Sequence, residues 1–431
     1  MKQPPLIESV IIESMALPEE TVMPNKSVLY TLQGSDKNIV RLELLVKGGY
    51  AVQDIPLQAT FVNRMLREGA GDLSSEEISR RLDYYGAWIE SYSSQNCNHL
   101  TLYCLRKYFE PLLELVVTMI TKPTFPEKNL DVVRRSGKAA FEVNSQKVDS
   151  VSQRHFENML WGEGHQLGHI VEAADYDNIT RDSLLDYYKK VYKSSNLSVF
   201  LSGDIDEAAI NLVISKLGVG EWGGDDCYNK LFVTPPASLC VRRDVTMKDA
   251  MQSAVKIGFM AMDVADPDFH IFRFLTVLLG GYFGSRLMSN IREENGYTYH
   301  IWAEVSAYGE RNAFMISSEV ANEYVEPCIK EIYSEIDSLC NEPVTAAEVE
   351  HVRNYILGEM CRECEGLTAK SEVFVNTWLS GEPFASANDY LEAVKAITPE
   401  DVSRVAKRCF SSRKMIEVVA GGACKRLTFN D

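Results

Sequence analysis

Apolar and polar residues alternate along several short segments of the chain. In residues 39–47, Ile-Val-Arg-Leu-Glu-Leu-Leu-Val-Lys, the alternation is that of a half-buried strand. Residues 87–93 and 99–105 alternate in the same way. The apolar segment 197–202 ends at Gly203 and predicts a further strand.

Other segments carry apolar residues at helical spacing. Residues 75–85 begin with an acidic turn, place Ile78 and Leu82 on one face, and end at Gly86. Similar patterns predict helices over residues 108–121 and 127–145. Strands and helices joined by local turns favour antiparallel sheets covered on one face, although the pattern does not give the strand order.

The second half of the chain repeats the order of the first. Residues 108–112, Tyr-Phe-Glu-Pro-Leu, recur as Tyr-Val-Glu-Pro-Cys at residues 324–328, and each copy opens an apolar helix. The tetrapeptide Asp-Val-Val-Arg at 131–134 resembles Glu-His-Val-Arg at 350–353. A third match is a glycine before a predicted strand, at Gly86 and Gly296. Matches in the same order indicate two copies of one α+β unit.

A segment rich in glycine and acidic residues, 218–226, precedes Pro235-Pro236 and predicts the interdomain linker. With 431 residues, the chain is long enough for two domains. We therefore predict an α+β protein with homologous domains at residues 1–225 and 226–431. Each is expected to be a mainly antiparallel sheet covered by helices.

The formal net charge is −17, from 61 acidic and 44 basic residues. This balance argues against nucleic-acid binding, which needs a basic face, and against adhesion to anionic lipid. It is compatible with basic peptide partners, but a role in solubility alone is the favoured interpretation.

The first eight residues, Met-Lys-Gln-Pro-Pro-Leu-Ile-Glu, lack the apolar core of a signal peptide. No apolar run approaches the roughly 20 residues that a membrane helix needs. We predict a cytoplasmic chain with reduced cysteines. Cys361 and Cys364 lie in a helical pattern over 354–365, so packing is expected there, with a redox or zinc site as the alternative.

The most informative stretches are residues 280–287, Gly-Gly-Tyr-Phe-Gly-Ser-Arg-Leu, and 290–299, Asn-Ile-Arg-Glu-Glu-Asn-Gly-Tyr-Thr-Tyr. They resemble the C-terminal-domain signature of the pitrilysin-like metallopeptidases (inverzincins), the family of insulinase and mitochondrial processing peptidase. Further segments that resemble the family are residues 165–169, 179–188 and 196–204. The resemblance covers nearly the whole chain and implies the two-domain fold of that family.

Active members of this family carry an inverted zinc motif, His-x-x-Glu-His, on a helix. The resemblance places its three positions on Thr60, Asn63 and Arg64, and a distal glutamate ligand on Glu142. Threonine is a poor zinc ligand, an amide is no general base, and a guanidinium stays protonated and repels a cation. We therefore expect no metal and no other cofactor in this chain, and no peptide hydrolysis by the chain alone.

The seven histidines provide no replacement motif, because none is followed by Glu-His at the required spacing. His165 and His169 have an i, i+4 spacing, but the glycines around them predict a loop, with a metal pair as the alternative. A self-sufficient peptidase that uses a different metal is a rival reading, which stoichiometric zinc in the purified protein would support.

The second domain of the family supplies an arginine and a tyrosine, seven residues apart, to an active site on another domain. The resemblance places them on Arg292 and Tyr299. Both side chains can donate hydrogen bonds to the oxyanion of peptide hydrolysis. The alternative is structural, with Arg292 paired to Glu293 or another neighbour and Tyr299 half-buried in a strand.

One arrangement in the family is a heterodimer in which one subunit holds zinc and the other keeps the Arg/Tyr pair. The chain fits the second type, so we expect a homologous zinc-bearing partner, or else self-association, together with a peptide substrate. Family members hold the peptide as a strand added to a sheet edge. The matching segment here contains Trp88, Ile89, Glu90 and Ser91, although an interior strand is the alternative.

A rival function from another class is a scaffold or peptide-binding protein of the same fold with no role in proteolysis. Retention of Arg292 and Tyr299 favours the peptidase subunit.

Overall fold

The computed structural model describes residues 12–34, 38–220, 222, 241–308, 311–411 and 415–422. The expected linker lies mostly outside these residues, and so does the expected boundary between residues 225 and 226. The two-domain division at that position therefore stays a prediction.

The strands of the described residues form two large sheets and one short hairpin. They are β1 (Glu19–Val22), β2 (Val28–Gln33), β3 (Ile39–Lys47), β4 (Gly69–Ala70), β5 (Leu73–Ser74), β6 (Trp88–Ser93), β7 (Cys97–Leu105), β8 (Leu197–Gly203), β9 (Arg242–Thr246), β10 (Gln252–Met260), β11 (Ile301–Tyr308), β12 (Arg311–Ala321) and β13 (Ile416–Gly421).

Helices connect and cover these strands. They are α1 (Gln58–Met65), α2 (Ser75–Tyr85), α3 (Phe109–Thr121), α4 (Glu127–Asn144), α5 (Val148–Trp161), α6 (Arg181–Val191), α7 (Glu207–Leu217), α8 (Phe269–Gly280), α9 (Val325–Asn341), α10 (Ala346–Glu363), α11 (Leu367–Leu379), α12 (Ser386–Ala396) and α13 (Pro399–Phe410), with a π-helix at Met288–Glu294. Within the described part of the chain, no helix combines the length and the apolar character needed to cross a bilayer.

The two sheets share one strand order. The first sheet runs β1-β2-β8-β3-β7-β6, and the second, read in the matching direction, runs β9-β13-β10-β12-β11. In each, one pair is parallel, β2 with β8 and β9 with β13, and the other pairs are antiparallel. The predicted α+β class with antiparallel-rich sheets is confirmed.

The repeated sequences occupy equivalent places in the two halves. Tyr108 caps α3 and Tyr324 caps α9, with nearly the same backbone angles. Arg134 on α4 donates to the Ile179 carbonyl, and its counterpart Arg353 on α10 donates to the Ile397 carbonyl. Each of these carbonyls lies next to the threonine cap of the following helix, Thr180 for α6 and Thr398 for α13. The duplication therefore extends to individual hydrogen bonds.

Each half places one helix on the sheet of the other half. Phe156 and Trp161 of α5 pack on the second sheet against Ala313 and Val418. In the opposite direction α11 packs on the first sheet, where Phe374 meets a buried cluster with Leu32, Leu45 and Phe200. The expectation of sheets covered on one face is wrong, because apolar side chains on the second face also need cover.

Candidate functional site

The helix at the expected zinc position, α1, lies beside the edge strand β6 of the first sheet. Asn63 on this helix is 1% exposed. Its amide nitrogen donates to the Tyr92 carbonyl at 2.6 Å and to the His99 carbonyl at 3.0 Å. The side chain at the general-base position therefore links α1 to β6 and β7 through hydrogen bonds.

Thr60 faces a small cavity beside α1. The cavity has a volume of about 260 Å³ and is also lined by Tyr50, Arg154, Glu157 and His169. The Tyr50 hydroxyl donates to the Ser93 carbonyl and is hydrogen-bonded to Thr60. Burial raises the pKa of Tyr50, and the bond with Thr60 partly opposes that rise, so the phenol stays neutral.

Arg64 points to the surface and Glu142 lies exposed near the end of α4. The Arg64 side chain passes close to Gly137 on α4, where a Cβ atom would come within 3.6 Å of its Nη1. Within the described residues the structure records no hydrogen bond or ion pair that joins Glu142 to Arg64. Thr60, Asn63 and Arg64 lie on α1 and Glu142 lies on α4, and these two helices contact each other. Of the four side chains, only the Glu142 carboxylate is a usual zinc ligand.

These side chains do not fit zinc. Asn63 uses its amide for backbone carbonyls, and Arg64 brings a permanent positive charge. Among the residues that the structure describes, no group of three or more His, Cys, Asp or Glu is placed to hold a metal ion. No step of peptide hydrolysis can be derived from this helix.

The segment expected to bind peptide is β6, and it is an edge strand. Its side chains alternate: Ile89 is buried, while Trp88 and Glu90 are exposed and Ser91 is partly buried. Trp88 is 53% exposed and stacks on Tyr103 with ring centroids 4.8 Å apart. Among the described strands β6 pairs only with β7, so it is not an interior strand of that set, and its role in binding stays a prediction.

A buried polar network underlies this edge, and sequence reasoning missed it. Glu43 on β3 accepts from Arg41 and lies 3.3 Å from His99 Nδ1. The Arg41 guanidinium also donates to Ser371 of α11 at 2.9 Å. Tyr92 stacks on the His99 ring at 4.1 Å. Burial, and then the Glu43 charge, raise the pKa of Tyr92 to about 12, so its hydroxyl remains a donor.

The sequence gives one indication of this network: Arg41 and Glu43, with opposite charges, occupy alternate positions of the predicted strand. The alternation of β3 predicted a polar outward face for Arg41 and Glu43. The helix that buries this face comes from the other half of the chain, so local periodicity could not reveal it.

Arg292 and Tyr299 lie on either side of a short turn in the second half. Arg292 is on the π-helix, and its Cζ atom stands 4.4 Å from the centre of the Phe283 ring. Tyr299 precedes β11 and is 91% exposed. Neither side chain has a hydrogen bond or ion pair within the described residues. Arg292 has no recorded pair with Glu293 but does contact a neighbour, the Phe283 ring, and Tyr299 is not half-buried. The role of the two residues stays a prediction.

The remaining candidates have local roles. His165 accepts from the Leu167 amide, and His169 Nε2 lies 2.9 Å from Asp175, in the loop that the glycines predicted. Cys361 lies on the last turn of α10 and Cys364 caps it. Burial is the main cause that raises the pKa of Cys364, which makes its thiol a weak nucleophile.

Comparison with known families gives two matches along the chain. Residues 31–173 match the profile described as insulinase (peptidase family M16), and residues 178–356 match the profile described as peptidase M16 inactive domain. Together the two segments cover most of the chain, and the second begins within the first half, just before α6.

Curated relatives carry both active and inactive descriptions. An uncharacterized zinc protease, YmxG of Bacillus subtilis, is 19% identical over 84% of this chain and 87% of that protein. The non-peptidase homolog YmxG of Helicobacter pylori is 21% identical over 85% of each chain. The mitochondrial-processing peptidase subunit alpha-2 of Dictyostelium discoideum is 20% identical over 95% of this chain and 93% of that protein.

A solved structure shows the same fold. A peptidase M16 inactive domain from Pseudomonas fluorescens superposes with a TM-score of 0.85 at 21% identity, over 95% of this chain and 99% of that one. The family matches, the duplicated architecture and the altered helix α1 agree with one another. The chain belongs to the pitrilysin-like peptidase family, M16, as an inactive member.

Proposed function

We propose that the chain is the non-catalytic subunit of a zinc peptidase and that Arg292 and Tyr299 act at the zinc site of a homologous partner. The observation that carries this proposal is a contrast between two sites. The Asn63 amide is hydrogen-bonded into the sheet, whereas half-buried Arg292 and exposed Tyr299 have no hydrogen bond or ion pair within the described residues. Donors without an internal partner are available to an external oxyanion.

The second part of the proposal concerns the peptide. The unpaired side of β6 can hold an extended peptide through main-chain hydrogen bonds, as in other strand-addition complexes. Arg67 limits this edge, because its guanidinium donates to the Ile89 carbonyl at 3.3 Å. We expect the peptide to pair with the part of β6 that follows Ile89, where Glu90 and Ser91 lie.

The test is a rate measurement with a homologous chain from the same source that carries an intact His-x-x-Glu-His motif. Adding the chain should raise the peptidase rate of that partner. Arg292→Ala and Tyr299→Phe should each reduce the stimulated rate by about 10²–10³-fold, the usual loss for one oxyanion donor.

Matched controls come from exposed residues of the first half. Tyr84 is 80% exposed, and Arg80 is on the same helix, so Tyr84→Phe and Arg80→Ala repeat the chemical changes elsewhere. Both controls should leave the stimulation intact. Full stimulation by Arg292→Ala and Tyr299→Phe, or no stimulation by the unmodified chain, refutes the subunit role and favours the scaffold function.

A further inference from the structure

The edge of the second sheet offers another docking surface. The edge strand is β11, and among the described strands it pairs only with β12. Its other side presents backbone donors and acceptors along Ile301–Tyr308. An unpaired edge of this kind can accept a further strand.

The side chains of β11 alternate between the core and an open cleft. Ile301 and Ala303 are buried, and Trp302 and Glu304 face the cleft. The His300 ring lies nearly parallel to the Trp302 ring, with centroids 6.0 Å apart. The outward row on this edge is therefore one imidazole, one indole and one carboxylate.

The cleft is large and predominantly acidic. It has a volume of about 660 Å³, and its charged lining residues are Asp149, Lys256, Glu304 and Glu319, with His300 at one end. Lys256 is already paired, at 2.9 Å from Asp149 and 2.9 Å from the Ser317 hydroxyl. Glu304 and Glu319 have no ion-pair partner in the described part of the chain. Two carboxylates are thus left to attract a cation.

The chemistry of this surface identifies one kind of partner. In a strand added to β11, alternate residues lie about 6.6–6.8 Å apart and project over the same face. A lysine or arginine there can reach the Glu304 carboxylate, and the next one along that face can lie over the Trp302 ring. We propose that β11 binds an extended basic segment of another polypeptide, with Lys or Arg at every second position.

The cleft is formed by the second sheet together with Asp149 of α5, and it is also lined by Tyr299, which the proposed function assigns to a partner's zinc site. The inference does not depend on that function. It concerns binding by the isolated chain, with no zinc partner and no hydrolysis. A failure to stimulate a partner peptidase therefore leaves it intact, and a failure to bind leaves the role of Arg292 untouched.

The experiment uses a fluorescein-labelled octapeptide of alternating lysine and threonine with blocked ends. Fluorescence anisotropy should show that it binds the purified chain, and rising salt should weaken the binding. A Glu/Thr peptide tests charge. A Lys/Pro peptide keeps the charge but lacks half of the amide donors. Neither should bind comparably, and equal binding of either peptide overturns the proposal.

Two variants locate the site. Glu304→Gln/Glu319→Gln should weaken binding of the Lys/Thr peptide about five-fold, as expected for two exposed ion pairs. Glu76→Gln on α2 is the matched change at an exposed glutamate away from both sheet edges and should have no such effect. Hydrogen exchange should show peptide-dependent protection in 301–308. Unchanged affinity of the double variant, or protection confined to 88–93, overturns the proposal.

Discussion

The two sheets have the same strand order but bury opposite charges at the same point. Thr101 and Ser317 each lie seven residues before the repeated tyrosine, and their strand partners are Glu43 on β3 and Lys256 on β10. Both charged groups are almost fully buried beneath the helix from the other half. Duplication has kept the backbone arrangement while the charge beneath the exchanged helix has changed sign.

The two buried charges also differ in how completely they are enclosed. Glu43 is neutralised by Arg41, which is itself buried. Burial by itself would lower the pKa of Arg41. Glu43 and Tyr103 more than offset this effect, so the pKa lies above its usual value and the guanidinium stays charged. Lys256 pairs with Asp149, whose side chain is 52% exposed. The first sheet therefore encloses an ion pair, and the second leaves half of its pair in water.

The largest expected effect is the difference in stability loss when the buried cation of each sheet, Arg41 or Lys256, is replaced. Arg41→Met leaves Glu43 buried without its cation and should lower the free energy of unfolding by about 3–5 kcal/mol. Lys256→Met leaves Asp149 hydrated and should cost only about 1 kcal/mol. Urea denaturation followed by circular dichroism measures both changes.

The control for this prediction removes both charges of the first sheet. Arg41→Met/Glu43→Leu should recover most of the stability, because a buried pair can often be replaced by apolar groups. Equal losses in the two single variants would mean that enclosure does not distinguish the sheets.

A smaller difference in the free energy of unfolding is expected between variants of the altered zinc helix and variants of the retained Arg/Tyr pair. Asn63→Ala leaves the carbonyls of Tyr92 and His99 without their side-chain donor and should cost about 2 kcal/mol. Arg292→Ala and Tyr299→Phe should change stability by no more than about 0.5 kcal/mol, because neither side chain makes a hydrogen bond to another described residue. Thermal unfolding of the three variants tests this, and a large loss for Tyr299→Phe would indicate a structural role instead.

The smallest effect concerns the two capping boxes. In the box of α6, Thr180 is hydrogen-bonded to Ser183, whose hydroxyl carries no charge at acidic or neutral pH. In the box of α13, Thr398 is hydrogen-bonded to Asp401, which has a carboxylate. The bond from the Thr398 hydroxyl is the main cause that lowers the pKa of Asp401 below its usual 3.8. Stability from this carboxylate is thus present above pH 3.8 and is lost as the pH falls through the lower folded pKa.

Asp401→Ser introduces the residue that Ser183 provides at the equivalent position of α6. The substitution removes the contribution of the carboxylate to the pH dependence of stability. The variant should be less stable than the native chain by up to about 1 kcal/mol at pH 7, and the difference should shrink between about pH 5 and pH 3. Unfolding free energies at the two ends of that range measure it. A difference that stays constant with pH would show that Asp401 does not contribute through its charge.

Much of the local structure followed from residue patterns. The strand at 39–47, the helix at 75–85 with its glycine end, and the helices near 108–121 and 127–145 agree with the structure. The repeat was visible because capping and turn residues recur in order. The change at Thr60, Asn63 and Arg64 was visible because a metal motif depends on residue type and helical spacing.

The patterns could not show which surfaces meet. The helical pattern of α5 marks an apolar face but does not name the sheet that covers it, and the same is true of α11. Arg41 and Glu43 were expected at an outward face and are buried under a helix more than three hundred residues away. Contacts between distant segments depend on how whole elements pack.

Residue order was enough to establish the duplicated α+β architecture, the family and the loss of the zinc ligands, since these depend on periodicity and side-chain chemistry. The exchange of α5 and α11, the tie from Asn63 to two strand carbonyls, and the acidic cleft beside β11 depend on three-dimensional packing. Burial and partner geometry arise when distant segments come together, and they have no counterpart in local sequence.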